Sequence, residues 1–212
     1  MTCTLTRWNS EQIKLDKQIK NKHTKHIKHT ENKMSDNNAY EQAKAQANSI
    51  GAMVAALNVD YDRLEDLKDE LANLEYYVSS SEAGEREHRQ AMEALAQWRA
   101  EYAEELRELE ESANGNESEE EAREAIRDDA LDVQVRSDWH APDEKDVSPS
   151  NFQILLCTGG PAVRIMGELN DYCEPTRAWI EYQDWGTPWT EAPGIIPQDV
   201  LLQYCQQFYF GE

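Results

Sequence analysis

The chain has 212 residues, 39% of them hydrophobic and 30% charged, and a formal net charge of −21. That length allows one modest core plus an accessory segment, and the low apolar share predicts extensive solvated helix or tail. The charge argues against a binder of nucleic-acid backbones or anionic membranes, which needs clustered Lys and Arg, and it favours basic partners.

Residues 1–33 differ from the rest of the chain. They hold eight Lys/Arg against three Asp/Glu and include "KNKHTKHIKHTENK". The next segment, "MSDNNAYEQA", reads as a natural start at Met34, so residues 1–33 are expected to be a dispensable basic tail, disordered and outside every apolar pattern. His23, His26 and His29 recur every third residue, but with no Cys or acidic ligand interleaved they read as a solvated tail rather than a metal site. No apolar h-region marks a signal peptide, and no apolar run is long enough for a transmembrane helix. Cys3, Cys157, Cys173 and Cys205 form no CxxC pair, which fits free thiols in a cytoplasmic protein.

From Tyr40 to about Val135 the pattern is helical. Ile50, Leu57, Leu64, Leu71 and Val78 fall seven apart, Met53, Leu67 and Leu74 fill a second seam, and Asp60 interrupts it. "SSSEAGE" breaks this stripe. A second stripe then runs through Met92, Leu95, Tyr102, Leu106 and Leu109, Arg99 taking one seam position. Two stripes joined by a short break predict an antiparallel helical hairpin, coiled-coil-like, through which a homodimer could also form. "ANGNES" ends the second helix, and a shorter one begins near Glu119 with Ala122, Ile126 and Ala130 on one side. Residues 60–146 contain 29 Asp/Glu against ten Lys/Arg. Such a surface is either a solvated helical face or rows of carboxylates offered to a basic protein groove.

"HAPDEKDVSPS" (140–150) reads as part of a linker over 137–150, separating the acidic helical region (34–136) from a C-terminal module (151–212). There "LLCTGGPAVRI" poses a choice between a phosphate loop and a tight turn. A phosphate loop needs a strand, glycines and then a helix. Gly160 instead leads into "PAVRIMGEL", which alternates with period two. A hairpin with Gly159–Gly160 as its two-residue loop sets Leu156 opposite Val163, Ile154 opposite Ile165 and Phe152 opposite Gly167. One face then collects Phe152, Ile154, Leu156, Val163 and Ile165, and the other Gln153, Leu155, Cys157, Arg164, Met166 and Glu168. "PTRAWIEYQDW" supplies a third strand with Ala178, Ile180 and Tyr182 on the apolar side. "IPQDVLLQYCQQFYF" closes as a helix whose Val200, Leu201, Tyr204, Cys205 and Phe208 cover that side. The fold class is therefore α+β: an acidic helical hairpin, then a small β-β-β-α module.

"QILLCTGGPAVRIMGELNDYCEPTRAWIEYQDWGTPWT", the closing "LLQYCQQFYFGE" and "DDALDVQVRSDWHAP" upstream resemble a conserved hypothetical family carried by plasmids, phages and integrative elements of proteobacteria. The likeness covers Asp128 to Glu212. It implies an accessory protein of mobile DNA and carries over no catalytic residues. Small acidic antirestriction and anti-CRISPR proteins offer an analogy of function only.

No Ser–His–Asp or Cys–His arrangement is supported: outside the tail the histidines are His88, on an acidic helix, and His140, in the linker, and Cys157 is better explained as a small strand residue than as a nucleophile paired with His140. No catalytic residue, cofactor or metal is expected. The candidate partner contacts are Glu117, Glu119, Glu120 and Glu121 on the acidic helices, and Arg164, Arg177, Trp179, Trp185 and Trp189 on the module, because Trp and Arg dominate protein interfaces. The leading expectation is a non-enzymatic binding protein docking on a basic host protein, without nucleic-acid or membrane binding of its own. A structural adaptor and a small enzyme are the other readings.

Overall fold

A computed structural model describes residues 38–80, 84–144 and 147–211. The basic tail with its three histidines lies outside the described residues. The protein is α+β. Helix α1 (38–56) precedes α2 (Tyr61–Ser79), α3 (Glu85–Ala113) and α4 (Glu119–Asp129). Strands β1 (Asp132–Arg136), β2 (Asn151–Cys157), β3 (Ala162–Leu169), β4 (Pro175–Gln183) and β5 (Thr190–Glu191) come next, and α5 (Gln198–Cys205) closes the chain. The strands form one antiparallel sheet in the order β1-β2-β3-β4-β5.

The stripe from Ile50 to Val78 is not one helix. It breaks at residues 57–60, where turn and cap chemistry takes over from the helix. Asn58 bonds back through its side chain to the Val54 carbonyl at 2.9 Å, and its N–H meets the Ala55 carbonyl at 3.1 Å. The Asp60 carboxylate then caps α2 by accepting from the Arg63 N–H at 3.0 Å. The two halves serve different cores. Ala43, Ala47, Ile50, Met53 and Val54 of α1 pack on the sheet, whereas Leu64 and Leu67 of α2 pack on Trp98, Leu106 and Ala113.

Helices α2 and α3 pack antiparallel, as the cross-pairs Arg63–Glu105 and Arg99–Glu75 show. The seam position assigned to Arg99 belongs to Trp98, which is buried and donates from Nε1 to Glu70 at 3.0 Å. Arg99 lies outside, and Met92, expected in the stripe, is exposed. Helix α3 ends where "ANGNES" predicts, with Asn114 and Gly115 in the left-handed region at φ 52° and 86°.

The helical run stops at Asp129 rather than near Val135, and 132–136 forms edge strand β1 paired in register with β2. The 137–150 stretch therefore joins two neighbouring strands of one sheet. The main core draws on both sides of it: Ile126 and the α1 residues come before, and Phe152, Ile154, Leu156, Val163, Ile165, Ala178, Ile180, Leu201, Tyr204 and Cys205 after. The expected apolar face is the buried one. Helices α1, α4 and α5 cover it, and the buried Tyr204 hydroxyl ties α5 to the end of α4 through Asp129 at 2.7 Å.

Near the turn the register departs from expectation. Ile154 pairs with Ile165 and Phe152 with Gly167, but Cys157, not Leu156, faces Val163 across a bulge. Pro161 has no N–H with which to close the ladder opposite Thr158, so the loop widens to Thr158–Pro161 and the extra residue becomes the bulge. Gly159 and Gly160 have φ of 108° and 76°, and the Gly160–Pro161 peptide is cis.

Candidate functional site

Gly160 leads into strand β3 and not into a helix, so the strand–loop–helix geometry of a phosphate loop is missing there. Trp185 closes the turn instead. Its Nε1 donates to the Gly159 carbonyl at 3.0 Å, and its ring lies where a Gly160 Cβ would stand, 1.8 Å from Nε1. Trp185 nevertheless keeps 78% of its surface exposed. Gly159→Val meets only the backbone penalty of its positive φ, about 1–2 kcal/mol. Gly160→Val adds displacement of Trp185 and should cost more. Urea unfolding of the two variants, with Trp fluorescence as the probe, checks that order, and equal costs would show that Trp185 does not rest on the turn.

The sheet face away from the helices carries Arg164, Arg177 and Trp179, with Trp189 laid over Arg164, and these groups are engaged with one another and with neighbouring carboxylates. Arg164 Nε and Nη2 donate to the Glu181 carboxylate at 2.9 and 2.7 Å, while Nη1 donates to Gln153 at 2.8 Å. The Arg164–Glu181 side chains retain 19% and 18% of their exposure. Trp189 covers the guanidinium, with its ring centre 4.1 Å from Cζ. Trp179 donates to the other Glu181 oxygen at 3.0 Å, and Arg177 lies over the Trp179 ring at 5.2 Å while pairing with Glu168 at 3.3 Å.

Three of the predicted contact residues, Arg164, Trp179 and Trp189, are thus engaged inside the molecule, whereas Arg177 and Trp185 are exposed. The residue that sequence reasoning passes over is Glu181. Its direct register opposite Arg164 is the available signal. Replacing Arg164 by Ala would leave Glu181 largely desolvated without its cation and uncover Trp189, at a cost of about 2–3 kcal/mol. Arg164→Lys should recover less than half, since a point charge cannot serve Glu181 and Gln153 together. Chemical denaturation measures both. A loss below about 0.5 kcal/mol for Arg164→Ala would contradict the clamp.

The acidic cluster at α4 has a structural role in addition to its charge. The Ser118 hydroxyl accepts from the Glu121 N–H at 3.2 Å, and the Glu121 carboxylate accepts from the Glu117 N–H at 2.7 Å. Glu119 pairs with Arg123, and Glu120 with Arg127 at 2.7 Å. Glu119, Glu120 and Glu121 occupy the first turn, where carboxylates favour the helix dipole. Neutralising them is therefore expected to loosen α4.

Across α2 to α4, Arg63, Lys68, Arg99 and Arg107 are likewise held by carboxylates at Glu105, Glu110, Glu75 and the pair Glu104 and Glu111. Glu65, Asp66, Asp69 and Glu108 are exposed and make no ion pair or side-chain hydrogen bond among the described residues. Near Tyr61 the helices converge: burial first, then the charges of Glu121 and Glu119, hold its hydroxyl above the usual range.

Nucleophilic chemistry finds little support. Burial pushes the Cys157 thiol up, which disfavours the thiolate, and its Sγ lies 4.0 Å from the Pro161 carbonyl. His140 is exposed, with Nδ1 3.1 Å from the Asp138 carbonyl. Among the described residues Cys157, Cys173 and Cys205 form no disulfide. Among the described residues no group of three or more His, Cys, Asp or Glu could hold a metal ion, and no helix is long and apolar enough to cross a membrane. Compared with protein-family models, curated proteins and solved structures, the chain matches none.

Proposed function

We propose that the protein is a non-enzymatic binding protein whose acidic helices dock on a basic groove of another protein, in the place a nucleic-acid backbone would take. The observation that carries this is the imbalance left after internal pairing. Six of the eight Lys/Arg of α2 to α4 are held in ion pairs, and exposed carboxylates remain in excess. Without the basic first 33 residues, the chain holds 39 Asp/Glu against 13 Lys/Arg.

The spacing supports the same reading. Glu101, Glu104, Glu108 and Glu111 recur along α3 at three- and four-residue steps, with Arg107 offsetting part of the row through Glu104 and Glu111. That is one carboxylate per about 5 Å of helix axis, against one phosphate per about 3.4 Å along each DNA strand. The resemblance to proteins of mobile DNA favours a nucleic-acid-handling defence enzyme of the host as the partner, with occlusion of its groove as the mechanism.

Immobilised protein should retain such a partner from a proteobacterial lysate at about 50 mM salt and release it by about 0.5 M, as screening shortens the Debye length. A retained protein with an acidic or apolar contact surface, held equally at both salts, would refute the proposal.

A further inference from the structure

The two edges of the sheet are built differently. Strand β5 is two residues long and lies between Pro188 and Pro193, a blunted edge. Strand β1 is five residues long, free of proline, lysine and register shifts, and exposed at every position. Among the described residues no strand pairs with its outer side. Exposed large apolar side chains gather there: Leu131 at 60%, Val133 at 37%, Val135 at 49% and Trp139 at 105%. A regular, exposed, partly apolar edge is a template for another strand.

The sequence of β1 says which strand fits. It reads Asp132-Val133-Gln134-Val135-Arg136, and it is complementary to itself when reversed. An antiparallel copy centred on Gln134 sets Asp132 opposite Arg136 twice, Val133 opposite Val135 twice, and Gln134 opposite its equivalent.

Directly opposed residues share a face. Val133 and Val135 pair with Ile154 and Phe152 and so lie on the helix-covered side, while Asp132, Gln134 and Arg136 lie on the other. The register therefore joins valine to valine on one face and carboxylate to guanidinium on the other. In the single chain these polar groups make only exposed local bonds, Gln134 to Asp132 at 2.7 Å and Arg136 to Asn151 at 3.3 Å.

We infer that the protein forms a two-fold dimer through β1, continuing the sheet from one chain into a second copy with about four to six main-chain hydrogen bonds. This dimer leaves the α2–α3 hairpin free, whose stripe is already buried within the chain. The negative charge of each copy opposes pairing, so added salt strengthens the dimer until screening is complete.

The test is sedimentation velocity of the full chain at about 100 µM in about 0.3 M salt, where the Debye length is about 6 Å. A mass of twice 24.4 kDa is expected. D132R places arginine opposite arginine, and R136D aspartate opposite aspartate. Each should raise the dimer dissociation constant about tenfold or more. An equimolar mixture of the two variants restores both opposite-charge pairs, as does D132R/R136D within one chain, and both should regain wild-type dimerisation. A wild-type chain that stays monomeric under these conditions overturns the inference. So does a dimer indifferent to D132R and R136D, or one the mixture fails to restore.

Discussion

Valine at position 167 is expected to lower stability by about 3 kcal/mol or more, and alanine by about 2–3 kcal/mol, by overpacking the core. A Cβ on Gly167 would stand 2.2 and 2.3 Å from Phe152 Cζ and Cε1 and 2.5 Å from the Arg177 carbonyl oxygen. The phenyl ring has nowhere to go. Phe152 is fully buried in the main core, and Phe210 packs on it with ring centres 4.4 Å apart. The Arg177 oxygen belongs to the neighbouring strand, so it moves only if the β3–β4 ladder moves. The backbone at Gly167 is ordinary extended strand, which isolates the steric cause. Phe152→Leu combined with Gly167→Ala should recover part of the loss, a coupling that a double-mutant cycle in urea reads directly. Gly167→Ala within about 0.5 kcal/mol of the parent would mean that the ring and the sheet yield far more easily than their packing implies.

Neutralising Glu65, Asp66, Asp69 and Glu108 to the corresponding amides is expected to slow association with the proposed basic partner by about tenfold or more at low salt, with a smaller change in dissociation. These carboxylates serve no cap and no ion pair among the described residues, so thermal unfolding should hardly change. Gln at Glu117, Glu119, Glu120 and Glu121 is the less informative substitution, because it also removes the Glu119–Arg123 and Glu120–Arg127 pairs and favourable charge from the first turn of α4. Stopped-flow association at two salt concentrations separates the effects. Equal association rates for parent and amide variant at about 50 mM salt, where the Debye length exceeds 10 Å, would reduce the acidity of α2 and α3 to a solvated face.

Burial decides how legible each segment is in the sequence. Strands β2, β3 and β4 alternate because one face packs under α1, α4 and α5, and the partners Ile154–Ile165 and Phe152–Gly167 can be read off directly. The break at 57–60 is hidden by coincidence. Apolar residues at Ile50, Leu57 and Leu64 keep a seven-residue spacing across a loop that changes which core they serve. Asp60 interrupts the stripe, and its capping chemistry is the clue to the break.

Strand β1 escapes a sequence reading because none of its residues is buried. Its alternation, Val133 and Val135 against Asp132, Gln134 and Arg136, is only five residues long, and the valines merge with the helical pattern before it. Alternation does place Arg164, Arg177 and Trp179 on the correct sheet face. Composition cannot show that Glu181 and Gln153 already hold Arg164, nor that Trp189 covers it. Pairing inside the molecule depends on side-chain reach across the sheet, which residue type alone does not encode.

The most direct measurement on the proposed function is a competition titration of the captured partner. The partner is held at fixed concentration with this protein, and a duplex DNA of about 20 base pairs is added. If the carboxylates of α2 to α4 stand where phosphates stand, the apparent dissociation constant rises in proportion to the DNA added, and no ternary complex appears. A ternary complex, or an affinity unchanged at saturating DNA, would contradict occupation of the basic groove.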